Sequence, residues 1–457
     1  MNISLKTIAK LVNGKCIGCG NLEITSVTTD TRDVKEKSLF VALKGESFDG
    51  HDFAIDAIKK GAACVLSQRP AESFSEKIPI IQVESTYKAL LDFAKGYRDM
   101  LSPVVVGVTG SVGKTTTKDM IAAVLSQGMQ TAKTQGNLNN HIGVPKTIFS
   151  LKESDRAAVV EMGMNHAGEI SVLTQVARPD VAVITNIGIS HLEFLKTREN
   201  ILKAKLEILE GMEEDAPVII NADNDILGAI TELGKRRIVR CSCEGTNADI
   251  CAKNIFEGTE GSRFEIWVNG KPHINAYLPA IGRHNVGNAL LAAAVGIEAG
   301  LSPEQIAAGL AAYVPSGMRQ KVTKLCDMTF IEDCYNASPT SMSASLSVLR
   351  SLSEGRAVAV LGDMLELGDI TKSAHLEIGN EAAEKCDFLV CCGKHSALMA
   401  KAATEKGIKT AFFETREETV DFLLKELKKG DCVLFKASLS MQFEKIISAL
   451  YARLEEC

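Results

Sequence analysis

The chain has 457 residues, 46% hydrophobic and 24% charged, with a formal net charge of −6. That length predicts about three domains, the composition is that of a soluble globular protein, and an acidic balance without a clustered basic face excludes a general nucleic-acid binder. No run approaches the roughly 18 apolar residues of a membrane span, and Met1-Asn2-Ile3-Ser4 opens no charged-then-apolar leader, so no membrane span and a cytoplasmic location are expected.

Residues 1–83 mix short strands and helices: 54–60 reads as helix, 63–66 and 78–81 as strands. The 13 cysteines are scattered without paired zinc-ligand spacing. Cys16-x-x-Cys19, Cys241-x-Cys243 and Cys391-Cys392 are expected to be reduced structural thiols in a reducing compartment.

Residues 84–314 begin with a helix over 87–97 and an apolar run, Val104-Val105-Val106, that feeds Gly107-Val-Thr-Gly-Ser-Val-Gly-Lys-Thr-Thr-Thr117 and a helix-like stretch, 118–125. A glycine loop opening onto a helix N-terminus aims backbone N–H groups and a positive dipole end at one spot, which suits a polyphosphate. Lys114 would then reach the β/γ-phosphates and Thr115 would hold Mg²⁺, with Gly110, Ser111, Gly113 and Thr116 completing the loop. The spacing is shorter than the standard phosphate loop, because Val108 stands where a glycine would be needed. Buried-strand runs follow at 157–161, 181–185 and 218–221. Apolar β-branched runs separated by helical periods predict a parallel sheet covered on both faces.

Helix 303–312 breaks at Tyr313-Val314-Pro315-Ser316-Gly317, which reads as a hinge. From 315 to 457, strands at 329–332, 357–361, 388–391 and 432–435 alternate with helices near 341–352, 375–386, 396–406, 416–428 and 441–454. This alternation predicts a Rossmann-like doubly wound unit with ligands at the carboxyl ends of its strands. The fold class is therefore α/β in three domains: a small α/β unit, 1–83; a central phosphate-loop unit, 84–314; and the Rossmann-like unit, 315–457.

Several side chains stand where chemistry could occur. Glu161 ends an apolar strand beside the loop, where a carboxylate would suit a hard cation or simply be solvated. His191 closes Thr185-Asn186-Ile187-Gly188-Ile189-Ser190-His191 and is equally readable as a surface or core histidine. Lys205 lies in a helix over 201–209 whose Leu202, Leu206 and Leu209 share a face; a solvated lysine is the plain alternative. Asp333, Tyr335 and Asn336 precede Ser338-Pro339, a helix cap with proline at the first helical position. An acid there could accept ribose hydroxyls or belong to a turn. Arg319, just past the hinge, could reach a phosphate or solvate the surface.

Together these pieces resemble the Mur ligase family across nearly the whole chain. The resemblance rests on Thr109-Gly110-x-x-Gly113-Lys114-Thr115, the Thr-Asn-x-x-x-x-His run ending at His191, Ala204-Lys205, Gly282-x-x-x-Val286-x-Asn288 and Asp333-x-Tyr335-Asn336. It rests also on Thr29-Asp30-Thr31-Arg32, Leu39 through Gly45, Phe48-Asp49-Gly50-His51, Asn137-x-Asn139-Asn140-x-x-Gly143-x-Pro145 and Leu361-Gly362-Asp363-Met364-x-Glu366-Leu367-Gly368. The resemblance implies an ATP-dependent peptide ligase of cell-wall synthesis that activates a carboxylate as an acyl phosphate. Its implied substrates are UDP-N-acetylmuramoyl-tripeptide and D-alanyl-D-alanine, and a monomer is expected. It further implies two Mg²⁺ ions, one on Thr115 and Glu161 and one on Glu161, His191 and a carbamylated Lys205. Asn285 or Asn288, Arg319, Asp333 and Tyr335 would hold the nucleotide. Thr31, Arg32, Lys44 and Gly45 would take the uridine diphosphate end, and Asn139, Asn140, Asn336 and Ser338 would face the peptide and dipeptide. Because the ATP ligands come from two domains, an open form without ligand would be no surprise.

One departure is visible. Where the family usually shows Lys-Gly-Ser-Arg, this chain reads Lys436-Ala437-Ser438-Leu439, which puts in doubt any grip of that segment on the dipeptide carboxylate. Rival readings meet obstacles in the sequence: a folate-polyglutamating enzyme would lack residues 1–83, a sister ligase adding the third residue would carry an Asp-Asn-Pro-Arg-like segment, and a guanine-nucleotide switch needs Asn-Lys-x-Asp. A catalytically dead binding module is hard to reconcile with intact Lys114, Glu161 and His191.

Overall fold

The apolar runs become strands of three main sheets, with a two-stranded pair, Ile3–Ser4 and Glu23–Ile24, beside the first. The computed structural model describes residues 1–245 and 248–455. In the first unit, Ser26–Thr28, Ser38–Val41, Ala62–Ser67 and Ile80–Gln82 run parallel, and Lys15–Ile17 closes the edge antiparallel.

The central sheet has nine strands. Val104–Thr109 lies between Ala157–Glu161 and Val181–Ile184, parallel to both, so the loop, Glu161 and the Thr185 turn emerge at the same carboxyl edge. Helices Lys114–Leu125, Arg283–Glu298 and Pro303–Ala311 cover one face. Thr86–Asp99, Gly143–Phe149 and Glu169–Ala177 cover the other. The parallel part agrees with the sequence pattern, but Gly261–Val268 and Lys271–Leu278 extend the sheet antiparallel from Ile250–Gly258.

The third sheet runs Lys321–Leu325, Met328–Glu332, Cys432–Lys436, Ala357–Gly362, Phe388–Cys392, Lys409–Phe413, all parallel except the first. Apolar clusters lie on both faces of it, as a doubly wound unit requires. Ser338 caps Pro339–Leu352 with its hydroxyl, and Pro339 is the first helical residue, which is the stop-and-start chemistry read from the sequence.

Two expectations are corrected. Cys16 and Cys19 form a disulfide, with their Cα atoms 5.8 Å apart. Gly18 takes a left-handed φ of 69°, which folds the short segment back and brings the two sulfurs together. The cysteines at 241, 243, 391 and 392 are free and buried, as expected. The helix expected over 201–209 is Arg198–Leu206 followed by a 3₁₀ turn, Glu207–Gly211. Its buried side includes Ile201, Ala204 and Lys205.

Candidate active site

The glycine loop spans the gap between Val104–Thr109 and Lys114–Leu125. Gly113 has a φ of 84°, and a side-chain carbon there would meet Asn288 Oδ1 at 2.9 Å. The loop is braced from the neighbouring strand end. Asn186 Oδ1 accepts from the Ser111 and Val112 N–H groups at 3.1 and 2.8 Å, Thr185 Oγ1 donates to Val112 O at 2.5 Å, and Gly188 N donates to Ser111 Oγ at 3.0 Å. Lys114 Nζ donates to Gly110 O at 2.8 Å and Ser111 O at 3.3 Å. Desolvation pushes its pKa down, Glu161 opposes this, and the charge of Arg319 adds to it.

Glu161 is buried at the tip of its strand and both carboxylate oxygens are engaged. Thr115 Oγ1 donates to Oε2 and Asn139 Nδ2 to Oε1, each at 2.8 Å. Its N–H donates to Thr134 Oγ1 at 3.0 Å. Buried Lys118 lies 3.8 Å from Oε2 and donates to Thr134 O at 2.9 Å. A threonine hydroxyl and a carboxylate this close are hard oxygen donors of the kind Mg²⁺ prefers.

Lys205 is 1% exposed. Burial, and secondarily the charge of Lys114, pushes its pKa well below the usual lysine value, and no ion pair among the described residues involves it. His191 has a left-handed φ of 63°. Its buried Nδ1 lies within ion-pairing distance of Glu366 Oε2 of the third unit, 2.8 Å, and has no other polar partner among the described residues. Among the described residues no three His, Cys, Asp or Glu side chains form a ready-made cation cage.

Third-unit residues reach the same place. The Arg319 guanidinium sits 3.9 Å from the Tyr335 ring centroid, a cation–π contact. Burial raises the Tyr335 pKa, with the charge of Arg319 opposing and that of Glu161 adding to it. Asp333 Oδ2 accepts from Lys436 Nζ at 2.7 Å and Ser345 Oγ at 2.6 Å. Asn285 Nδ2 donates to Gln320 Oε1 and to Ile281 O, both at 2.8 Å, and Asn288 Nδ2 reaches Asn285 Oδ1 at 3.4 Å. A cavity of about 250 Å³ opens at this helix end, lined by Gly282, Arg283, His284, Ser347 and Val348 among others.

The remaining sequence candidates lie apart or are locally committed. Exposed Arg32 pairs with Asp30 through its side chain at 2.6 Å, which holds the Asp30 carboxyl well below the usual range. Thr31 lies in the same 3₁₀ turn. Lys44 and Asp49 pair through their backbones as an isolated antiparallel bridge, and Gly45 N donates to Phe48 O at 2.9 Å, leaving the Phe48 ring exposed. Asn140 Oδ1 accepts from the Ile142 and Gly143 N–H groups, Asn336 Oδ1 from Ala337 N. Thr116 follows Thr115 on the loop helix. Sequence reading gave Lys118 and Thr134 no functional role and named Asn186 and Glu366 only as members of motifs. Only Asn186, inside the Thr-Asn run, and Glu366, inside the Leu-Gly-Asp-Met run, carried a local signal.

Comparison with known proteins is consistent along the chain. The family profiles "Mur ligase family, catalytic domain", "Mur ligase middle domain" and "Mur ligase, glutamate ligase domain" match residues 23–98, 108–296 and 318–439. UDP-N-acetylmuramoyl-tripeptide–D-alanyl-D-alanine ligase of Bacillus subtilis is 40% identical, covering 98% of both chains. The enzyme of that name from Escherichia coli is 36% identical over the same share. Among solved structures, MurF from Acinetobacter baumannii superposes with a TM-score of 0.90 at 32% identity, covering 99% of both chains. MurF ligase from Thermotoga maritima in complex with ADP gives 0.83 at 29% identity, covering 94% of this chain and 98% of that one.

Proposed function

Because the chain belongs to the Mur ligase family, we infer that it joins D-alanyl-D-alanine to UDP-N-acetylmuramoyl-tripeptide with consumption of ATP. It is an ATP-dependent peptide ligase of peptidoglycan synthesis. The observation that carries this reading is the hydrogen-bonded pair Thr115 and Glu161 beside Lys114 at the glycine loop, with the Arg319–Tyr335 pair of the third unit near enough for its charge to act on Lys114.

The chemistry asks for control of negative charge. The terminal carboxylate of the tripeptide takes the γ-phosphoryl group of ATP, the amine of the dipeptide attacks the acyl phosphate, and the tetrahedral adduct expels phosphate. Lys114 and the loop N–H groups bind and orient the triphosphate, and Arg319 adds a second cation from the facing unit. Thr115 and Glu161 would hold one Mg²⁺, with Asn139 fixing the carboxylate plane; that ion would neutralise charge building on the transferring phosphoryl group. His191 and Lys205 would serve a second. An ammonium at 205 would repel a cation, whereas a carbamate is an oxygen ligand like a carboxylate. The depressed pKa of Lys205 supports that modification, because carbon dioxide adds to the neutral amine.

The nucleotide would be held by Asn285 or Asn288, Asp333 and Tyr335, across the junction of the central and third units near residue 314. The first unit, through Thr31, Arg32, Lys44 and Gly45, would take the uridine diphosphate end. Asn140, Asn336 and Ser338 would face the peptide ends. A cytoplasmic location suits substrates that include ATP and a nucleotide-linked peptide. Incubation with UDP-N-acetylmuramoyl-tripeptide, ATP and D-alanyl-D-alanine should release phosphate only when all three are present. Release indifferent to the dipeptide would refute the assignment.

A further inference from the structure

The third unit meets the central unit at a second place, where the segment 189–193 docks on the segment 364–368. Ile189 packs against the third unit's apolar cluster, which includes Met364 and Leu367. Glu193 N donates to Glu366 O at 3.3 Å. A side-chain carbon at Gly368 would come within 3.1 Å of Glu193 Cα, so the two backbones touch there. At the centre, Glu366 Oε2 faces His191 Nδ1 at 2.8 Å. Both residues hold left-handed backbone conformations, φ 61° and 63°, which non-glycine residues adopt only when surrounding structure imposes them.

We propose that Glu366 is a positioning residue of the ligase, delivered by docking of the third unit to fix the His191 imidazole through Nδ1 and leave Nε2 free as a cation ligand. A ligating histidine ordinarily has a carboxylate or carbonyl on its other nitrogen, which sets the tautomer and ring orientation. Here that partner belongs to a different unit from the histidine. Cation affinity is thereby tied to domain docking: when the third unit swings away, His191 loses its orienting partner. This rests on the reading of His191 as a cation ligand given above.

The test uses the full-length protein and Mn²⁺, read by electron paramagnetic resonance in the presence of a non-hydrolysable ATP analogue, with Mg²⁺ titrations of ligation alongside. Glu366→Gln keeps the shape of the side chain, and its melting temperature reports whether the fold is intact. It should raise the half-saturating concentration of either cation by about 10- to 100-fold while KM for the tripeptide nucleotide stays within about twofold. Against a His191→Ala background, Glu366→Gln should add no further loss, because the group it positions is already gone. A wild-type protein that ligates while Glu366→Gln binds Mn²⁺ normally overturns the proposal, as does strict additivity of the two substitutions. If the wild-type protein itself fails to ligate, the functional reading falls first and takes this one with it.

Discussion

Lys205 poses the sharpest question at the scale of single residues. A charged ammonium buried to 1% exposure without a paired carboxylate would be costly by several kcal/mol. The lowered pKa eases that cost by favouring the neutral amine, and a carbamate would turn it into a ligand. Lys205→Ala is therefore expected to lose activity by about 100-fold or more, measured as phosphate release, and to regain part of it on addition of a short carboxylate such as formate or acetate. Full activity without rescue would eliminate the carbamate. The same residue shows what sequence can reveal: its helix was legible, but its burial was not, because the sequence marked Leu202, Leu206 and Leu209 as the inner face, whereas these are only partly buried against the core and the fully buried positions are Ile201, Ala204 and Lys205. Thr115 and Glu161 were legible because each lies at the edge of a recognisable element, Thr115 in the first turn of its helix and Glu161 at the end of its strand. Lys118 and Thr134 were not, since their roles depend on which strand end lies beside which, as does the contact of Asn139 with Glu161.

Among the elements, the strand–loop–helix unit at 104–125 depends on one glycine more than on its lysine for its shape. Gly110 has a φ of 149°, and a side-chain carbon there would fall 1.9 Å from Thr185 Oγ1, the group that braces Val112. Gly110→Ala should destabilise the protein by about 2–4 kcal/mol in urea unfolding, combining backbone strain with overpacking. Gly287 provides the contrast: it lies inside helix Arg283–Glu298, and only Cys243 Sγ, at 3.8 Å, lies near a carbon added there. Gly287→Ala should stabilise by about 0.5–1 kcal/mol. Equal effects at the two positions would contradict the loop geometry. Elements buried on both faces, such as Val181–Ile184 and Ala357–Gly362, were readable as continuous apolar runs. The hairpins from Ile250 to Leu278 were not, because Ile250–Gly258 is buried at its start and largely exposed beyond it, without alternation, and slips register between Lys253 and Phe256, which blurs the period of two.

For the whole molecule, the decisive fact is how unevenly the units share their cores. One apolar cluster runs from Leu5, Ile8 and Leu39 of the first unit through Leu90 and Phe93 to Val105, Ile148 and Ile184 of the central one. Among the described residues, the third unit's two clusters draw only Ile189 and Ile281 from the central unit. Polar links add Gln320 with His284 at 3.0 Å, and Ser316 of the hinge with Asp119. The first two units should therefore melt together and the third by itself, giving two calorimetric transitions. A ligand that needs both sides of the cleft stabilises only the docked arrangement. A Mg²⁺-bound, non-hydrolysable ATP analogue at about 100 times its Kd adds about 2.7 kcal/mol and should draw the two transitions together. In Tyr335→Ala, which removes the ring that Arg319 stacks on, the analogue should bind more weakly and the transitions should stay apart at the same concentration. If the analogue instead raised the first transition alone, equally in both proteins, the nucleotide would be held by the central unit alone, and the contacts of Arg319 and Tyr335 at the loop would have no part in binding it.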